Sequence, residues 1–523
     1  MEDEITEKRP APEVNSSDVE FGKVLMNKDE LLLAQLGYKQ EFYRKLGFFE
    51  NWAATFSSMN FISGIPVLFA FAMYTGGPTA AFSNWTMVGG LSTIVSLVMA
   101  EIAAALPTAG GIYFWAYRLG GEKWGPSLAW FTAWWNWAGW ICVVPGVQQG
   151  STNFLLSALE IKYPNQDIFF KGWFQWLLTA IGMLVAMAPN IISQRILKLY
   201  FRGHFASKKD VFNHIVNQIN LGDKQTASDG YTWVVGVLFG AWVFYGYDAS
   251  AHLAEETHDA SETVAKGMWI STASAWLLSV PTLILILFCI QDFDGIVAGT
   301  LTNNWGIFLV QLIGENGAVA ILCLLWVDST CATASCFMSA QRVTYAIARD
   351  GVLPGSKYFR KLSKERMAVN AGFLVCLLSI LISCAVIGST VAFTAITATA
   401  TICTNFSYLI PIVARHTIGR KRFQPSPTWN LGHFSVYMAI IAGLYITFLF
   451  AVLVLPQLYP VTEETLNYAP ITIGIVTVIS AGGWFLPVWG ARHWFEGPKK
   501  TIQAAEEQAL EIERRNSSIK AAE

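Results

Sequence analysis

Long uncharged stretches make up most of this chain, and short polar segments separate them. A membrane-spanning helix needs about 20 consecutive, mostly apolar residues, and several stretches hold one or two such helices. The ten-residue alternating segments of membrane β-barrels are not seen. We therefore predict an all-α polytopic membrane protein. Its eleven predicted spans lie at 52–74, 85–106, 125–157, 172–189, 231–249, 268–290, 306–346 (long or broken), 368–388, 391–413, 433–455 and 469–490.

The composition agrees with a protein whose main partner is the lipid bilayer. Of the 523 residues, 53% are hydrophobic and 14% are charged, whereas soluble domains carry about 25% charged residues. The eight cysteines all fall inside apolar stretches, which favours small buried residues over a disulfide framework. A net charge of −2 gives no indication of a nucleic-acid partner, and we interpret the basic run 415–422 as a cytoplasmic anchor.

The pattern divides the chain into three parts. Residues 1–46 form a polar cytoplasmic tail without a recognisable signal peptide, so the first span itself would direct insertion. Residues 47–494 form the transmembrane domain, and residues 495–523 form a charged cytoplasmic tail. The transmembrane part is incomplete near 190–230, for the following reason.

Lysine and arginine in the loops predict the orientation of the spans, because cytoplasmic loops are enriched in both residues. With the amino terminus in the cytoplasm, the first four spans leave Asn190 inside, but the later loops obey the rule only if Gly230 is outside. The segment between them has no stretch of 18 apolar residues. A crossing is thus required where no ordinary span exists. The basic loops are 107–124, 347–367 and 415–422, and those without Lys or Arg are 75–84, 291–305 and 457–468.

Two spans contain sequences that interrupt a helix. The first span contains SSMNFISGIP, in which Pro66 removes a helix hydrogen bond, and the span at 231–249 contains FYGYD. Broken backbone at membrane depth is tolerated only where protein or a water-filled cavity satisfies it, and paired breaks are typical of transporter substrate sites. Free N–H groups suit a carboxylate and free carbonyls suit an ammonium. One break alone would more often reflect packing, since Gly and Pro are common in membrane helices.

Three motifs identify a family resemblance: EIAAALPTAGGIYFW (101–115), FYGYDASAHLAEET (244–257) and SAQRVTYAIARDGVLP (339–354). From about Leu36 to Trp494, the chain resembles permeases of the amino acid–polyamine–organocation superfamily, in particular the fungal GABA permease and amino acid/choline transporter group. The resemblance implies a LeuT-like fold of two inverted five-helix repeats and two further helices, with spans one and six unwound around the substrate. The missing crossing would then be the fifth of twelve spans.

The same resemblance implies a substrate site. The small residues of span one would bind the substrate carboxylate through their N–H groups, Trp242 would cover the substrate, and the carbonyls that follow it would bind the ammonium. Asp248 would stabilise the second half-helix or attract a cation. We add the amide of Asn136 as a candidate contact to a substrate side chain. The predicted substrate-binding residues are Ser63, Gly64, Ile65, Trp242, Tyr245, Gly246, Asp248 and Asn136.

Asp328 is a carboxylate inside a predicted span, with Ser329 and Thr330 beside it. A central Asp costs about 2.5–3.5 kcal/mol on insertion, so such residues commonly face a cavity and carry function. The resemblance places this helix at the ion-coupling site, and we predict that Asp328 couples transport to protons. The alternative is a structural hydrogen bond. Asp248, His252 and Glu256 share a helix face, which permits a metal site or an acid–base pair, although capping of a helix end is favoured.

These features predict a proton-coupled secondary transporter that imports an amino acid or a small amine such as GABA by alternating access, without a cofactor. We place it in the plasma membrane, with the vacuolar membrane as the alternative. One rival is a choline or polyamine permease with an aromatic cage. Another is a membrane enzyme that uses His252, and a third is a truncated, non-transporting variant with a sensing or regulatory role. The candidate cage residues are Trp242, Phe244, Tyr245 and Tyr247.

Overall fold

The structure is a computed structural model. It describes residues 19–21, 24–26, 28–42, 44–188, 190, 216–220, 226–364, 366–388, 391–463 and 465–499. Two compact units can be distinguished, one comprising residues 1–41 and 499–523 and the other residues 42–498. In the first unit, strands β1 (Val19–Phe21) and β2 (Val24–Met26) pair antiparallel, and helix α1 (Lys28–Gln35) follows them.

The first predicted span is a chain of three short helices rather than one long helix. The backbone breaks at Asn60, whose φ and ψ are 21° and 71°, and again at Leu68. We expected the first break at Ser63, Gly64 and Pro66, but these residues are helical. Asn tolerates positive φ better than most residues because its short polar side chain can hydrogen-bond locally. The helices are α2 (Phe48–Met59), α3 (Phe61–Val67) and α4 (Phe69–Tyr74).

The next segments are long helices joined by short connections. Strand β3 (Thr75–Gly76) leads into the second predicted span, α5 (Gly77–Ala105). In α6 (Gly111–Lys162), a short helix from the loop after α5 joins the third predicted span at a kink where Gly121 has a φ of 65°. A short 3₁₀ turn, Asp167–Phe170, precedes α7 (Gly172–Met187).

The second half begins with strand β4 (Val216–Asn217), which pairs antiparallel with β3. The predicted span at 231–249, which is span six in the family numbering, is broken into short helices around residues 242–248. A 3₁₀ turn at Ala254–Glu256 follows it. The helices are α8 (Asp229–Val235), α9 (Leu238–Ala241), α10 (Ala249–His252), α11 (Ala260–Phe288), α12 (Phe293–Val297), α13 (Trp305–Arg349), α14 (Ser356–Phe359), α15 (Val369–Ser383), α16 (Ala385–Gly388), α17 (Ala392–His416), α18 (Phe434–Leu453) and α19 (Ala469–Phe485).

The prediction of an all-α polytopic protein is confirmed. Every one of the predicted spans contains helix, and within the described residues six helices are long and apolar enough to cross a membrane. The long span at 306–346 is α13, which breaks where Gly314 has a φ of 74°. Helix α6 packs against α13 and α17, and α5 packs against α11. These contacts enclose the two broken spans.

The predicted extra crossing lies between Asn190 and Gly230, and residues 191–215 and 221–225 of this segment lie outside the described residues. On one side of this segment, the Asn190 side chain donates to the carbonyl of Ala334 at 2.9 Å. The neighbouring Ser335 contacts Ser57 in α2 at 3.1 Å, so Asn190 lies level with the first half of span one. On the other side, β4 pairs with β3 beyond the far end of that span. The two ends therefore lie at different levels of the helical bundle, and the crossing itself stays a prediction.

Candidate functional site

The two broken spans approach each other at Gly64 in α3. A Cβ atom built on Gly64 would lie 2.6 Å from Cγ2 of Val243, closer than real Cβ contacts come. A residue without a side chain is therefore required for α3 to pack against the irregular part of span six. The two broken spans are thus in direct contact at this point.

A cavity opens beside this contact. Its volume is about 30 Å³, room for one or two water molecules and well below the roughly 300–1,000 Å³ of ligand pockets. Five of the predicted site residues line it: Ser63, Gly64, Trp242, Tyr245 and Ser329. These residues come from both broken spans and from α13, and their binding of a substrate stays a prediction. The remaining lining residues are Ser58, Met59, Asn60, Val67, Val147, Val243 and Ala332.

Asn60 organises the first break. Its Nδ2 donates to Oγ of Ser63 at 2.8 Å and to Oδ2 of Asp328 at 2.8 Å. The N–H of Gly64 donates to the carbonyl of Asn60 at 2.9 Å. It is therefore engaged within the helix, whereas we had expected it to be free to bind a substrate carboxylate. Ile65 is buried but does not line the cavity. The sequence reasoning missed Asn60, although an asparagine three positions before SGIP was a candidate polar residue at the break.

The second break exposes backbone acceptors. Among the described residues, no backbone N–H donates to the carbonyls of residues 242–245. Gly246 adopts a φ of 84°, which favours glycine, and its N–H donates to the hydroxyl of Tyr408 at 3.2 Å. Gly246 lies behind the cavity rather than on its wall. The break is thus held open by a side chain from α17.

Only two of the four candidate cage aromatics face the cavity. Trp242 and Tyr245 line it, with ring centroids 5.8 Å apart. Phe244 instead packs on Trp85 at 5.0 Å, and Tyr247 packs on Tyr408 at 5.0 Å. The hypothesis of a four-residue cage is therefore wrong, because consecutive residues of an irregular segment point in different directions.

Asp248 is a fully buried hub and does not touch the cavity. Its Oδ1 accepts from the Tyr408 hydroxyl at 2.7 Å, and its Oδ2 accepts from Asn136 Nδ2 and Trp140 Nε1, each at 3.0 Å. The same Oδ2 lies 3.0 Å from His252 Nε2. No side-chain hydrogen bond caps α10. A buried carboxylate needs donors, so Asp248 uses them here instead of contacting a substrate.

Asn136 is committed to the same hub, so the predicted contact to a substrate side chain is not found. Besides Asp248, its Nδ2 donates to Ser407 Oγ at 3.2 Å. Asn136 is absent from the cavity wall. Tyr408 was missed by the sequence reasoning, since nothing in a sequence indicates that a tyrosine 160 positions away will bind Asp248.

The three predicted ion-coupling residues, Asp328, Ser329 and Thr330, have three different surroundings. Asp328 faces Asn60 at the first break. Ser329 lines the cavity, and its buried Oγ has no hydrogen-bond partner in the described part of the chain. Thr330 donates to the Trp326 carbonyl and contacts Ser151 Oγ in α6 at 2.9 Å. Asp328 and Ser329 thus connect the cavity with the break, whereas Thr330 holds α13 against α6.

The third motif binds the acidic end of span six. Glu255 and Arg349 form a buried ion pair at 3.3 Å, and Glu256 lies 2.6 Å from Arg342. Glu256 therefore does not join Asp248 and His252 around a metal. Over the described ranges, no group of three or more His, Cys, Asp or Glu side chains is arranged to hold one.

Comparisons with known proteins agree with this architecture. A family model described as amino acid permease matches residues 46–478. An amino-acid permease BAT1 homolog of Oryza sativa subsp. japonica is 31% identical, covering 89% of this chain and 94% of its own length. The amino-acid permease BAT1 of Arabidopsis thaliana is 30% identical, covering 91% and 98%. The thiamine transporter thi9 of Schizosaccharomyces pombe is 29% identical, covering 87% and 85%.

The family match spans both broken helices, the cavity between them and all three motifs. The relatives are named as permeases or transporters and extend over nearly the whole chain. Broken helices that meet near the middle of the bundle are typical of the substrate sites of such proteins. This chain belongs to the amino acid permease family and is a multi-pass membrane transporter, not an enzyme.

Proposed function

We propose that this protein is a proton-coupled importer of an amino acid or a small amine such as GABA, acting in the plasma membrane. One observation carries the proposal: the cavity lies where the two helix breaks meet, with Ser63 on one wall and Trp242 and Tyr245 on the other. Two relatives of similar length are named amino-acid permeases. Membership of the GABA permease group follows from the three motifs and belongs to this proposal.

The two walls suit the two ends of an amino acid. The Ser63 hydroxyl lies on the cavity wall on the side of α3 as a donor for a carboxylate, and the Asn60 amide beside it becomes a second donor once it leaves Asp328. The carbonyls of residues 242–245 receive no backbone hydrogen bond in the described part of the chain and are free to accept from an ammonium. Neutral donors and carbonyls bind a zwitterion without burying an uncompensated charge in the protein.

Asp328 supplies the proton-coupling group in this proposal. Its carboxylate accepts from Asn60, which also binds Ser63 on the cavity wall. Protonation would remove the negative charge that attracts the Asn60 amide, because a neutral carboxyl group is a weaker acceptor. A proton on Asp328 would therefore loosen the first break and free Asn60 to bind the substrate. Transport by alternating access would follow from rearrangement of the two breaks.

An organic cation is the second candidate substrate. Trp242 and Tyr245 present two aromatic rings to the cavity, and aromatic faces attract cations. One relative is named a thiamine transporter. Phe244 and Tyr247 pack elsewhere and do not line the cavity. This weakens the case for choline, because a quaternary ammonium is best bound by a cage of several aromatic rings.

Uptake into liposomes that contain the purified full-length chain would test the proposal. With an acidic exterior, we expect saturable uptake of GABA or another amino acid that a protonophore abolishes. Ser63→Ala should raise the half-saturating concentration about tenfold or more. Ile62→Ala is the matched control. Ile62 is next to Ser63 in the chain, but its side chain is 49% exposed and does not line the cavity.

The outcomes separate the candidates. Uptake of thiamine or choline, with no competition from amino acids, would favour the organic-cation candidate. Saturable amino acid uptake that is indifferent to the pH gradient would contradict proton coupling alone. The absence of saturable uptake for every substrate class would contradict both proposals and would support the truncated, non-transporting variant.

A further inference from the structure

His252 lies behind the second break, and both of its ring nitrogens face hydrogen-bond acceptors. Nε2 is 3.0 Å from Oδ2 of Asp248, and Nδ1 is 3.4 Å from the carbonyl oxygen of Ala109. The side chain is 2% exposed, so water cannot readily replace either partner. The first two sequence motifs meet at this ring, because Ala109 belongs to one and His252 to the other.

This geometry has a consequence for the number of protons. A neutral imidazole carries one N–H, so either tautomer would leave one ring nitrogen with its lone pair directed at an acceptor. The imidazolium donates from both nitrogens and satisfies both partners. Transfer of the proton to Oδ2 of Asp248 is disfavoured, since that oxygen already accepts from Asn136 and Trp140.

We propose that His252, with Asp248 as its counterion, is a proton-binding site separate from Asp328. In the described conformation it holds a proton that ties the second break to the loop before α6. Loss of this proton would remove the bond to the Ala109 carbonyl and weaken the link to Asp248. The two breaks would thus each be linked to a protonatable side chain. That this proton takes part in transport rests on the proposed function, whereas its binding does not.

The surroundings of the pair support this assignment. Among the described residues of α17, Tyr408 is the only titratable side chain in contact with Asp248. The ring of Tyr247 packs against Tyr408. From α6 the contacts are Asn136 and Trp140, which carry no charge. The acidic neighbours farther along span six are directed at arginines of α13 rather than at the ring.

Gly111 keeps the imidazole in this position. A Cβ atom on Gly111 would lie 3.2 Å from both Cε1 and Nδ1 of His252, and the residue has a φ of 51°. A side chain at this position would press on the ring and strain the backbone. The first motif therefore contributes an acceptor and the space for the ring.

Nitrogen-15 NMR of ring-labelled histidine in the full-length chain, reconstituted in lipid nanodiscs, would test the proposal directly. The chain has seven histidines, so a version in which the other six are replaced by glutamine reports on His252 without altering it. We expect the doubly protonated signal at pH 7.5. We also expect Asp248→Asn to convert most of it to the neutral form, whereas Asp328→Asn should leave it unchanged.

A neutral His252 in the otherwise unmodified site at pH 7.5 would overturn the proposal, whether or not the chain transports anything. His252→Gln in the seven-histidine chain gives a second assignment, by loss of one signal, if the six-fold variant does not fold. Uptake assays then address the role in transport. We expect His252→Gln to alter the pH profile in a way that Asp328→Asn does not, with at least a tenfold loss of uptake at neutral pH. A His252→Gln profile identical to wild type would limit the site to a structural proton.

Discussion

The side-chain amide of Asn60 joins the first helix break to Asp328, with 2.8 Å between Asn60 Nδ2 and Asp328 Oδ2. The same nitrogen lies 2.8 Å from Oγ of Ser63, on the wall of the cavity. One amide thus connects the candidate coupling carboxylate with the candidate substrate site. Any change in the charge of Asp328 must be felt at the break, because charge-assisted hydrogen bonds are about twice as strong as neutral ones.

Asp328→Asn is expected to remove most of the pH dependence of uptake. Asparagine resembles the protonated carboxyl group in charge and size, so the variant should behave as if the proton were always bound. Uptake by wild type should fall as the external pH rises and Asp328 loses its proton. Initial uptake rates between pH 5 and pH 8 would measure this.

Glu315→Gln is the control for this substitution, since it removes a carboxylate from an exposed position of the same helix. It should leave the pH profile unchanged. An Asp328→Asn profile that matches wild type would show that the carboxylate only makes a structural hydrogen bond.

Gly64→Ala is expected to reduce uptake about tenfold or more, because the added Cβ would lie 2.6 Å from Val243 Cγ2. The β-branched valine has little rotamer freedom with which to move away. Val243→Ala in the same chain should restore much of the uptake. Transport rates corrected for the amount of protein in the membrane would measure both variants.

Gly474→Ala provides a comparison in another membrane helix, where a Cβ would meet nothing within 4 Å. Its uptake should equal that of wild type. Failure of Val243→Ala to rescue Gly64→Ala would indicate that the contact between the two breaks does not limit transport.

Glu255→Gln is expected to destabilise the protein by about 3 kcal/mol, near the lower end of the range for breaking a buried ion pair. Arg349 would stay buried without its partner at 3.3 Å, and the carboxylate of Asp350, 3.9 Å away, is too distant to replace it. Denaturation of the full chain in detergent would report the loss. Glu255 and Glu256 belong to the second motif, and their partners Arg349 and Arg342 belong to the third. The test therefore also measures how much the contact between these motifs contributes to stability.

Glu262→Gln is the matched control for the buried pair. It breaks an ion pair with Lys266 in which both side chains are more than 40% exposed. Exposed pairs contribute about 0–1 kcal/mol, so the expected change is small. Equal losses for the two substitutions would refute a special contribution from the buried pair.

The loop at 415–422 is expected to lie in the cytoplasm. It carries Arg415, Arg420, Lys421 and Arg422, and positive loops stay inside. A cysteine inserted there should be protected from a membrane-impermeant thiol reagent in intact cells and should react after permeabilisation. A cysteine in 457–468 should react in intact cells. Labelling of the 415–422 loop from outside would mean that the segment 190–230 does not cross and that the second half is inverted.

Much of the fold and part of the site were predictable from the sequence. Apolar length determines where helices can span a membrane, since every backbone group in lipid must be hydrogen-bonded internally. Gly64, Pro66 and Gly246 marked the two segments that cannot continue as regular helices, and both are broken in the structure. Ser63 and Trp242, which the family resemblance implied as substrate contacts, line the cavity.

The exact position of the first break was not predictable, because it depends on a tertiary contact. Asn60 leaves the helical conformation where its amide reaches Asp328, 268 positions later in the chain. Propensity alone pointed to the glycine and proline instead. A local rule cannot weigh a hydrogen bond whose partner is supplied by another helix.

The sequence by itself determined which stretches can span a membrane, that two of them are interrupted and which chemical types are available there, and it predicts the orientation of the spans. These depend on the partition of residues between lipid and water and on local backbone preferences. Only the tertiary structure decided that Asp248 and Asn136 bind each other away from the cavity wall, and that His252 faces two acceptors. A buried polar group is satisfied by whichever partners the packing brings within hydrogen-bond distance, and that choice is made between helices far apart in the chain.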